Sequence, residues 1–305
     1  MASFRFRLVN VFAGNELLGS SALTGNPLCV FEDARDLDER AMMALSRQFN
    51  QSETTFLLPP SPASVGAHAR VRIFTPTHDP KLAEMRFAGH PTLGSAQVVR
   101  DLLGCGDEVT LELPAGLVPV QARGDTWTLT APFDGAPLVH PESMPATAVA
   151  AMLGLEPGDL ASEPVWVDTG MEQFLVPLRS AEAVRKASPA PGAIDAWPRS
   201  RSGRSNAYVF AFSGATVAGR HEVRARFFIK APGSGLYEDP GTGSACANLG
   251  GWLLHTGARL PASVVVEQGH EMERPCRLQL DVGEDRKVHV GGRVVEVARG
   301  EVTLP

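Results

Sequence analysis

Two glycine-rich stretches decide the fold of this 305-residue chain. Residues 87–96 read FAGHPTLGSA, and residues 237–245 read YEDPGTGSA. Aligned on their shared Gly-Ser-Ala ending, the two stretches pair His90 with Asp239. A polar residue of each half therefore occupies the same place in a repeated pattern, which indicates an internal duplication.

The segments around the two stretches also match. Residues 70–76 and 224–230 each alternate like half-buried strands before the glycines, and residues 95–103 and 244–254 are mainly apolar at helical length after them. Both stretches are thus predicted to be strand-to-helix turns. The first N–H groups of such helices have no acceptor within the helix, so both turns favour anions.

The repeat continues outside the glycine stretches. A Thr-Gly turn enters an apolar strand at Thr24-Gly25 and again at Thr169-Gly170. A helix predicted over residues 37–49 has a weaker counterpart over 181–187, and each half ends in hairpin-like strands.

We therefore predict an α+β protein of two similar mixed lobes, with both glycine stretches converging on a cleft between them. The lobes are predicted to span residues 1–131 and 132–305, joined at a proline-rich segment that begins at Pro132. The terminal strand is free to cross back to the first lobe.

Composition excludes several classes of protein. Hydrophobic residues make up 44% of the chain, and 28 Lys+Arg against 34 Asp+Glu give a net charge of −6 without a dense basic run, so no nucleic-acid partner is expected. The chain has neither a signal-peptide core nor an apolar stretch long enough to span a membrane, so we expect no membrane partner and a cytoplasmic location.

Motifs for cofactors and metals are missing from the sequence. Neither glycine stretch carries the lysine of a Walker loop, and no dinucleotide fingerprint or Gly-x-Ser-x-Gly elbow occurs. The histidines lack metal-ligand spacing, and the cysteines stand singly, at Cys29, Cys105, Cys246 and Cys276. We therefore predict neither a metal nor a cofactor.

Glu53 is a candidate acid/base. A lone Glu between a helix and a strand is usually a solvated turn residue. Here the strand-forming residues 54–57 follow it directly, which places Glu53 at the mouth of a strand. A carboxyl group that is partly desolvated there has a raised pKa and a proton that can be transferred near neutrality.

His90 and Asp239 are candidate binding residues. Singly, His90 is explained as a turn histidine and Asp239 as the cap of the following helix. Their equivalence across the repeat favours a common small ligand instead, with N–H donors from the Gly243 and Ser244 region.

Several motifs together resemble the PhzF-like family of phenazine-biosynthesis isomerases. These motifs run in family order along nearly the whole chain. They are Asn10-Val11-Phe12, Gly25-Asn26-Pro27-Leu28, Ser52-Glu53-Thr54-Thr55-Phe56, residues 87–94, residues 239–244, and Gln268-Gly269 to Arg274-Pro275. The resemblance implies a diaminopimelate-epimerase-like fold, in which each lobe is a curled mixed sheet around a central helix, and a homodimer.

The resemblance also implies an activity and roles for residues. It implies isomerisation of trans-2,3-dihydro-3-hydroxyanthranilate without cofactor or metal, with Glu53 as the acid/base that removes a proton from one carbon and returns one to another. By the same match, His90 and Asp239 hold and polarise polar groups of the substrate. The carboxylate of the substrate is then bound by Gly89, Gly243 and Ser244.

Two other functions stay open. An epimerase or racemase of an amino or hydroxy acid is the nearest alternative, although the wider fold uses a cysteine from each lobe and neither glycine stretch contains one. A protein that binds a small molecule or a partner without catalysis is the other. The four polar residues of the predicted site, Glu53, His90, Asp239 and Ser244, argue against it.

Overall fold

β-Strands are the most abundant regular secondary structure in the computed structural model, which describes residues 2–14, 17, 19–77, 83–133, 135–189, 196–231 and 235–304. The strands up to the middle of the chain are β1 (Ala2–Val11), β2 (Asn26–Phe31), β3 (Glu53–Leu58), β4 (Ala69–Phe74), β5 (Glu84–Met85), β6 (Glu108–Leu113), β7 (Gly116–Arg123) and β8 (Thr126–Thr130). The later strands are β9 (Leu138–Pro141), β10 (Val165–Asp168), β11 (Glu172–Pro177), β12 (Ser205–Val217), β13 (Arg220–Ala231), β14 (Gly235–Asp239), β15 (Ala262–Gln268), β16 (Cys276–Val282) and β17 (Val288–Leu304).

Helices are fewer than strands. The α-helices that lie wholly within the described ranges are α1 (Glu39–Phe49), α2 (Gly89–Leu103), α3 (Ala146–Met152), α4 (Ala181–Lys186) and α5 (Gly243–His255). Within the described ranges, no helix is both long and apolar enough to cross a membrane. The predicted α+β class, with a mixed sheet and few helices, is confirmed.

The chain divides into two compact units. The first contains Met1–Thr130 together with Gly291–Pro305, and the second contains Ala131–Val290. Most of β17 therefore belongs to the first unit, where it pairs antiparallel with β1 from Val294 to Leu304.

The strands of the first unit form a closed ring. β1 pairs antiparallel with β2, β2 parallel with β3, β3 antiparallel with β4, and β4 parallel with β6. β6, β7 and β8 continue as antiparallel hairpins, and β17 pairs with both β8 and β1 to close the ring. Helix α2 packs against β1, β2, β3, β4, β6 and β8, so six of the ring's strands contact it.

Helix α2 starts earlier than predicted. The sequence pattern placed its beginning at Ser95, but the helix begins at Gly89. Pro91 is compatible with this start because the N–H groups of a first helical turn have no acceptor within the helix. A Cβ on Gly94 would lie 2.6 Å from Leu28 Cδ2, so any larger residue there would displace the Leu28 side chain.

The second unit is also a mixed sheet. β9, β10 and β11 pair antiparallel, β11 runs parallel to β12, and β12 and β13 form a long antiparallel hairpin. β13 then pairs antiparallel with β14 and parallel with β15, and β15 pairs antiparallel with β16. Helix α5 contacts β10, β11 and β16, and it begins one residue before the predicted Ser244.

Each unit contains an aromatic core of its own. In the first unit, Phe31 and Phe56 stack with ring centroids 4.9 Å apart beneath α1. In the second unit, Trp166 and Phe174 pack with ring centroids 5.1 Å apart in a buried cluster under α3 and α4. Buried aromatic side chains contribute much of the apolar area that stabilises a fold.

Candidate functional site

Glu53 is the first residue of β3, as the sequence predicted for a residue at the mouth of a strand. Two residues on, Thr55 faces helix α2, because Ser95 Oγ donates a hydrogen bond of 3.0 Å to Thr55 Oγ1. Side chains two residues apart in a strand share a face, so Glu53 also lies on the α2 side of the sheet. Its side chain is 16% exposed.

His90 meets Glu53 from the first turn of α2. The distance from His90 Nε2 to Glu53 Oε2 is 3.3 Å, and the imidazole is 7% exposed. Burial lowers the pKa of His90 to about 3, although a hydrogen bond to the Pro27 carbonyl opposes the shift. The imidazole is therefore neutral near pH 7. Of the residues predicted from the sequence, these two are brought together.

Asn26 lies on the other side of the imidazole and was given no role by the sequence analysis. Ser52 Oγ donates a 3.0 Å hydrogen bond to Asn26 Oδ1, and Asn26 Nδ2 lies 3.5 Å from His90 Nδ1. Asn26 is fully buried at the start of β2, directly after Gly25. Its position after a repeated Thr-Gly turn is the signal that would have suggested it.

The protonation state of His90 limits what this group of residues can do. An imidazole with a pKa of about 3 does not accept a second proton near neutrality. His90 is therefore not the member of the His90–Glu53 pair that takes up or releases a proton near neutral pH. Neutral His90 remains available as a hydrogen-bonding group, so the geometry favours Glu53 as the acid/base.

Asp239 is the last residue of β14 and is 9% exposed. Thr242 Oγ1 donates a 2.5 Å hydrogen bond to Asp239 Oδ2. The alternative that Asp239 caps the following helix is wrong, because Thr242 is the N-cap residue of α5. A hydrogen-bonded carboxylate is fixed in position, which suits a group that binds a polar substituent.

Gln268 fixes the turn that carries Asp239. Its Nε2 donates to the Asp239 carbonyl at 2.8 Å and to Thr242 Oγ1 at 3.0 Å, and its Oε1 accepts from Thr242 N–H at 3.3 Å. Gly269 follows with φ +77°, and a Cβ there would lie 2.5 Å from the Pro240 carbonyl oxygen. The sequence analysis quoted both residues for the family resemblance without giving them a role.

Gly243 and Ser244 are the first two residues of α5, and Gly89 is the first residue of α2. N–H groups in the first turn of a helix carry partial positive charge and have no acceptor in the helix. Ser244 Oγ accepts a 2.9 Å hydrogen bond from Gln173 Nε2. Gly89 is in the first unit, with Glu53 and His90; Gly243 and Ser244 are in the second, with Asp239.

The cysteines show no features of catalytic thiols. Cys29, Cys246 and Cys276 are buried, and Cys105 is partly exposed. Burial raises the pKa of the Cys29 and Cys246 thiols far above the usual range, so both remain protonated. Since the thiolate is the reactive form, neither is suited to act as a base.

Comparisons with known proteins find relatives that match nearly the whole chain. The family model for phenazine biosynthesis-like proteins (PhzC-PhzF) matches residues 16–300. An uncharacterized isomerase of Pasteurella multocida is 34% identical over 307 residues, covering 100% of this chain and 96% of the relative. The trans-2,3-dihydro-3-hydroxyanthranilate isomerase of Pseudomonas aeruginosa is 33% identical over 277 residues, covering 90% of this chain and 88% of the relative.

A solved structure shares the fold. The Bacillus anthracis phenazine biosynthesis protein of the PhzF family aligns with a TM-score of 0.80 at 22% identity, and the alignment covers 100% of both chains. The mixed sheet with few helices is therefore that of PhzF-family proteins.

Proposed function

We propose that this chain, which belongs to the PhzC-PhzF family of phenazine biosynthesis-like proteins and is an isomerase, moves a proton within a small carboxylated substrate through Glu53. The observation that carries the proposal is the 3.3 Å approach of Glu53 Oε2 to a buried, neutral His90. Trans-2,3-dihydro-3-hydroxyanthranilate is the reference substrate, as it is for a relative that is 33% identical.

In the proposed reaction, Glu53 takes a proton from C3 of the substrate and returns a proton at C1. The electron pair of the broken C–H bond shifts through the conjugated system, and the resulting enol tautomerises to a ketone. No atom is gained or lost overall, so the step needs no external oxidant or reductant. General acid–base catalysis of this kind contributes about 10²- to 10⁴-fold to a rate.

The remaining predicted residues bind the substrate. Neutral His90 forms a hydrogen bond to a polar group of the substrate and keeps its own protonation state, because burial prevents it from taking a second proton. Asp239 binds the amino or hydroxyl substituent. The N–H groups of Gly89 and Gly243 and the Ser244 hydroxyl bind the carboxylate, which agrees with the positive ends of the helices they begin.

The buried thiols disfavour the racemase alternative. Two thiol bases would both have to ionise, and burial of Cys246 on α5 raises the pKa of its thiol. A single carboxyl group that takes and returns a proton fits the described residues better. The homodimer and the cytoplasmic location stay predictions, as do the two equivalent lobes around central helices. Sedimentation of the purified protein tests the dimer.

The test of the function is turnover in D₂O with the reference substrate. Deuterium is expected at the carbon that receives the proton, and Glu53→Gln is expected to lower turnover by about 10²- to 10⁴-fold. Glu39→Gln, on the exposed side of α1, is the matched control and should be fully active. Near-normal turnover by the Glu53 variant would contradict the assignment.

A further inference from the structure

A chain of buried hydrogen bonds in the second unit leads to Ser244. Thr169 donates to Asn248 Oδ1 from both its N–H, at 2.9 Å, and its hydroxyl, at 2.7 Å. Asn248 Nδ2 donates to Gln173 Oε1 at 2.7 Å, and Gln173 Nε2 donates to Ser244 Oγ at 2.9 Å. The side chains cross from the turn before β11 to the first turn of α5.

The backbone N–H of Thr169 determines the orientation of the Asn248 and Gln173 side-chain amides. A backbone N–H can only donate, so the Asn248 oxygen must face Thr169 and its nitrogen must face Gln173. Gln173 then has to present its oxygen to Asn248 and its nitrogen to Ser244. Thr169, Gln173 and Asn248 are 3%, 1% and 0% exposed, so a flipped amide would leave buried polar atoms without partners.

This orientation also determines the direction of the Ser244 hydroxyl. A hydroxyl group has one proton to donate and two lone pairs that accept. Gln173 occupies a lone pair of Ser244 Oγ and, being a donor, offers no acceptor to the hydroxyl proton. Ser244 itself is only partly buried, so its O–H bond is left to donate to a bound acceptor.

We infer that Gln173 is a positioning residue, which turns the Ser244 hydroxyl outward as a donor to the carboxylate of the substrate. The inference rests on the proposed function, because that function supplies the carboxylate. Gln173 need not touch the substrate. It acts through Ser244, and the Thr169–Asn248 pair acts through Gln173.

Ligand pairs that differ only in the carboxylate test the inference. The probes are 3-hydroxyanthranilate and 2-aminophenol, which is the same ring without the carboxylate, and calorimetry gives both affinities. Wild-type protein is expected to prefer the acid. Gln173→Met, which keeps the length of the side chain but cannot donate, should weaken binding of the acid by about tenfold, as for loss of a hydrogen bond to a charged group. Binding of 2-aminophenol should be unchanged.

A second variant replaces the donor to Ser244 with an acceptor. Gln173→Glu still accepts from Asn248 but also accepts from Ser244, so the hydroxyl turns inward and the acid should bind more weakly than to Gln173→Met. In a Ser244→Ala background, Gln173→Met should have no further effect, because the residue through which Gln173 acts is missing. Asn206→Leu is the matched control. It also removes a side-chain amide of the second unit, but this amide accepts from Phe174 N–H and does not donate to Ser244, so the preference for the acid should be unchanged.

Three results would overturn the inference. They are a wild type that does not prefer the acid, equal losses for the two ligands in Gln173→Met, and additive effects of Gln173→Met and Ser244→Ala. These outcomes do not depend on Glu53, because the aromatic probes undergo no turnover. Failure of the proton-transfer proposal would instead appear as normal turnover by Glu53→Gln.

Discussion

His90 Nε2 lies 3.3 Å from Glu53 Oε2, and the two residues come from different elements of the first unit, the start of α2 and the start of β3. The carboxyl group thus meets an imidazole that burial keeps neutral. This relationship bears on the proposed roles of the two side chains, because an imidazole that stays neutral leaves the carboxyl group as the proposed acid/base.

The first prediction concerns the titration of His90. Its pKa is about 3 in the folded protein against 6.5 as the ordinary value, so the unfolded chain takes up a proton first as the pH falls. The free energy of unfolding should therefore decrease below about pH 6.5, by about 1.4 kcal/mol per pH unit from this group. Relative to His90→Gln, wild type should lose about 2 kcal/mol between pH 7.5 and pH 5.

Urea unfolding of both proteins across this pH range checks the prediction. NMR adds a direct readout, since the imidazole C–H resonances of His90 should not shift between pH 5 and pH 8. A midpoint near pH 6.5 for this residue would contradict the neutral, buried imidazole.

The second prediction concerns Gln268, which holds the turn around Asp239. Gln268→Met removes its hydrogen bonds to the Asp239 carbonyl and to Thr242. The free energy of unfolding should fall by about 1–3 kcal/mol, because buried polar atoms lose their partners. Binding of 3-hydroxyanthranilate should also weaken, since the backbone of the turn that carries Asp239 loses these hydrogen bonds. Equal affinity in the variant and wild type would show that the turn keeps its shape without Gln268.

The third prediction concerns the thiols. In the native protein, iodoacetamide should label Cys105 quickly and label Cys29, Cys246 and Cys276 only on unfolding, because these three are buried. Labelling of Cys105 should leave turnover unchanged, as should Cys105→Ser. Mass spectrometry locates the label. Rapid inactivation that substrate prevents would favour the thiol-based racemase instead.

The fourth prediction concerns a buried ion network in the first unit. Arg7, whose side chain is 5% exposed, binds Glu32 at 2.6 Å and both Asp101 and Glu296 at 3.1 Å. Arg7→Met removes the buried cation from the three carboxylates, although Glu32 keeps Arg5 and Glu296 keeps Arg299, and should lower the free energy of unfolding by about 1–3 kcal/mol.

Arg293→Met is the matched control for the Arg7 variant. It removes an exposed ion pair with Asp125 and should cost at most about 1 kcal/mol. Chemical denaturation measures both variants. Similar losses for the two would show that the Arg7 network contributes no more than a surface pair.

Local sequence predicted the features that depend on neighbours in the chain. The strand-forming residues 54–57 placed Glu53 at the mouth of a strand, and β3 begins there. Apolar residues at helical spacing predicted the helix that ends at Phe49. The start of α2 was misplaced because a Gly-His-Pro sequence usually forms a turn, whereas here it forms the helix's first turn.

The duplicated glycine stretches by themselves made His90, Asp239 and Ser244 candidates, because strand-to-helix turns repeat with the sequence. Only the tertiary structure decided which partners these side chains have. Ser244 meets Gln173 from 71 residues away, and His90 meets Asn26 from 64. Such hydrogen bonds form only when packing brings distant elements together, and no local periodicity records them. The sequence therefore predicted which polar residues are candidates, and the packing of helices on sheets determined that His90 is buried and neutral and that Ser244 accepts from Gln173.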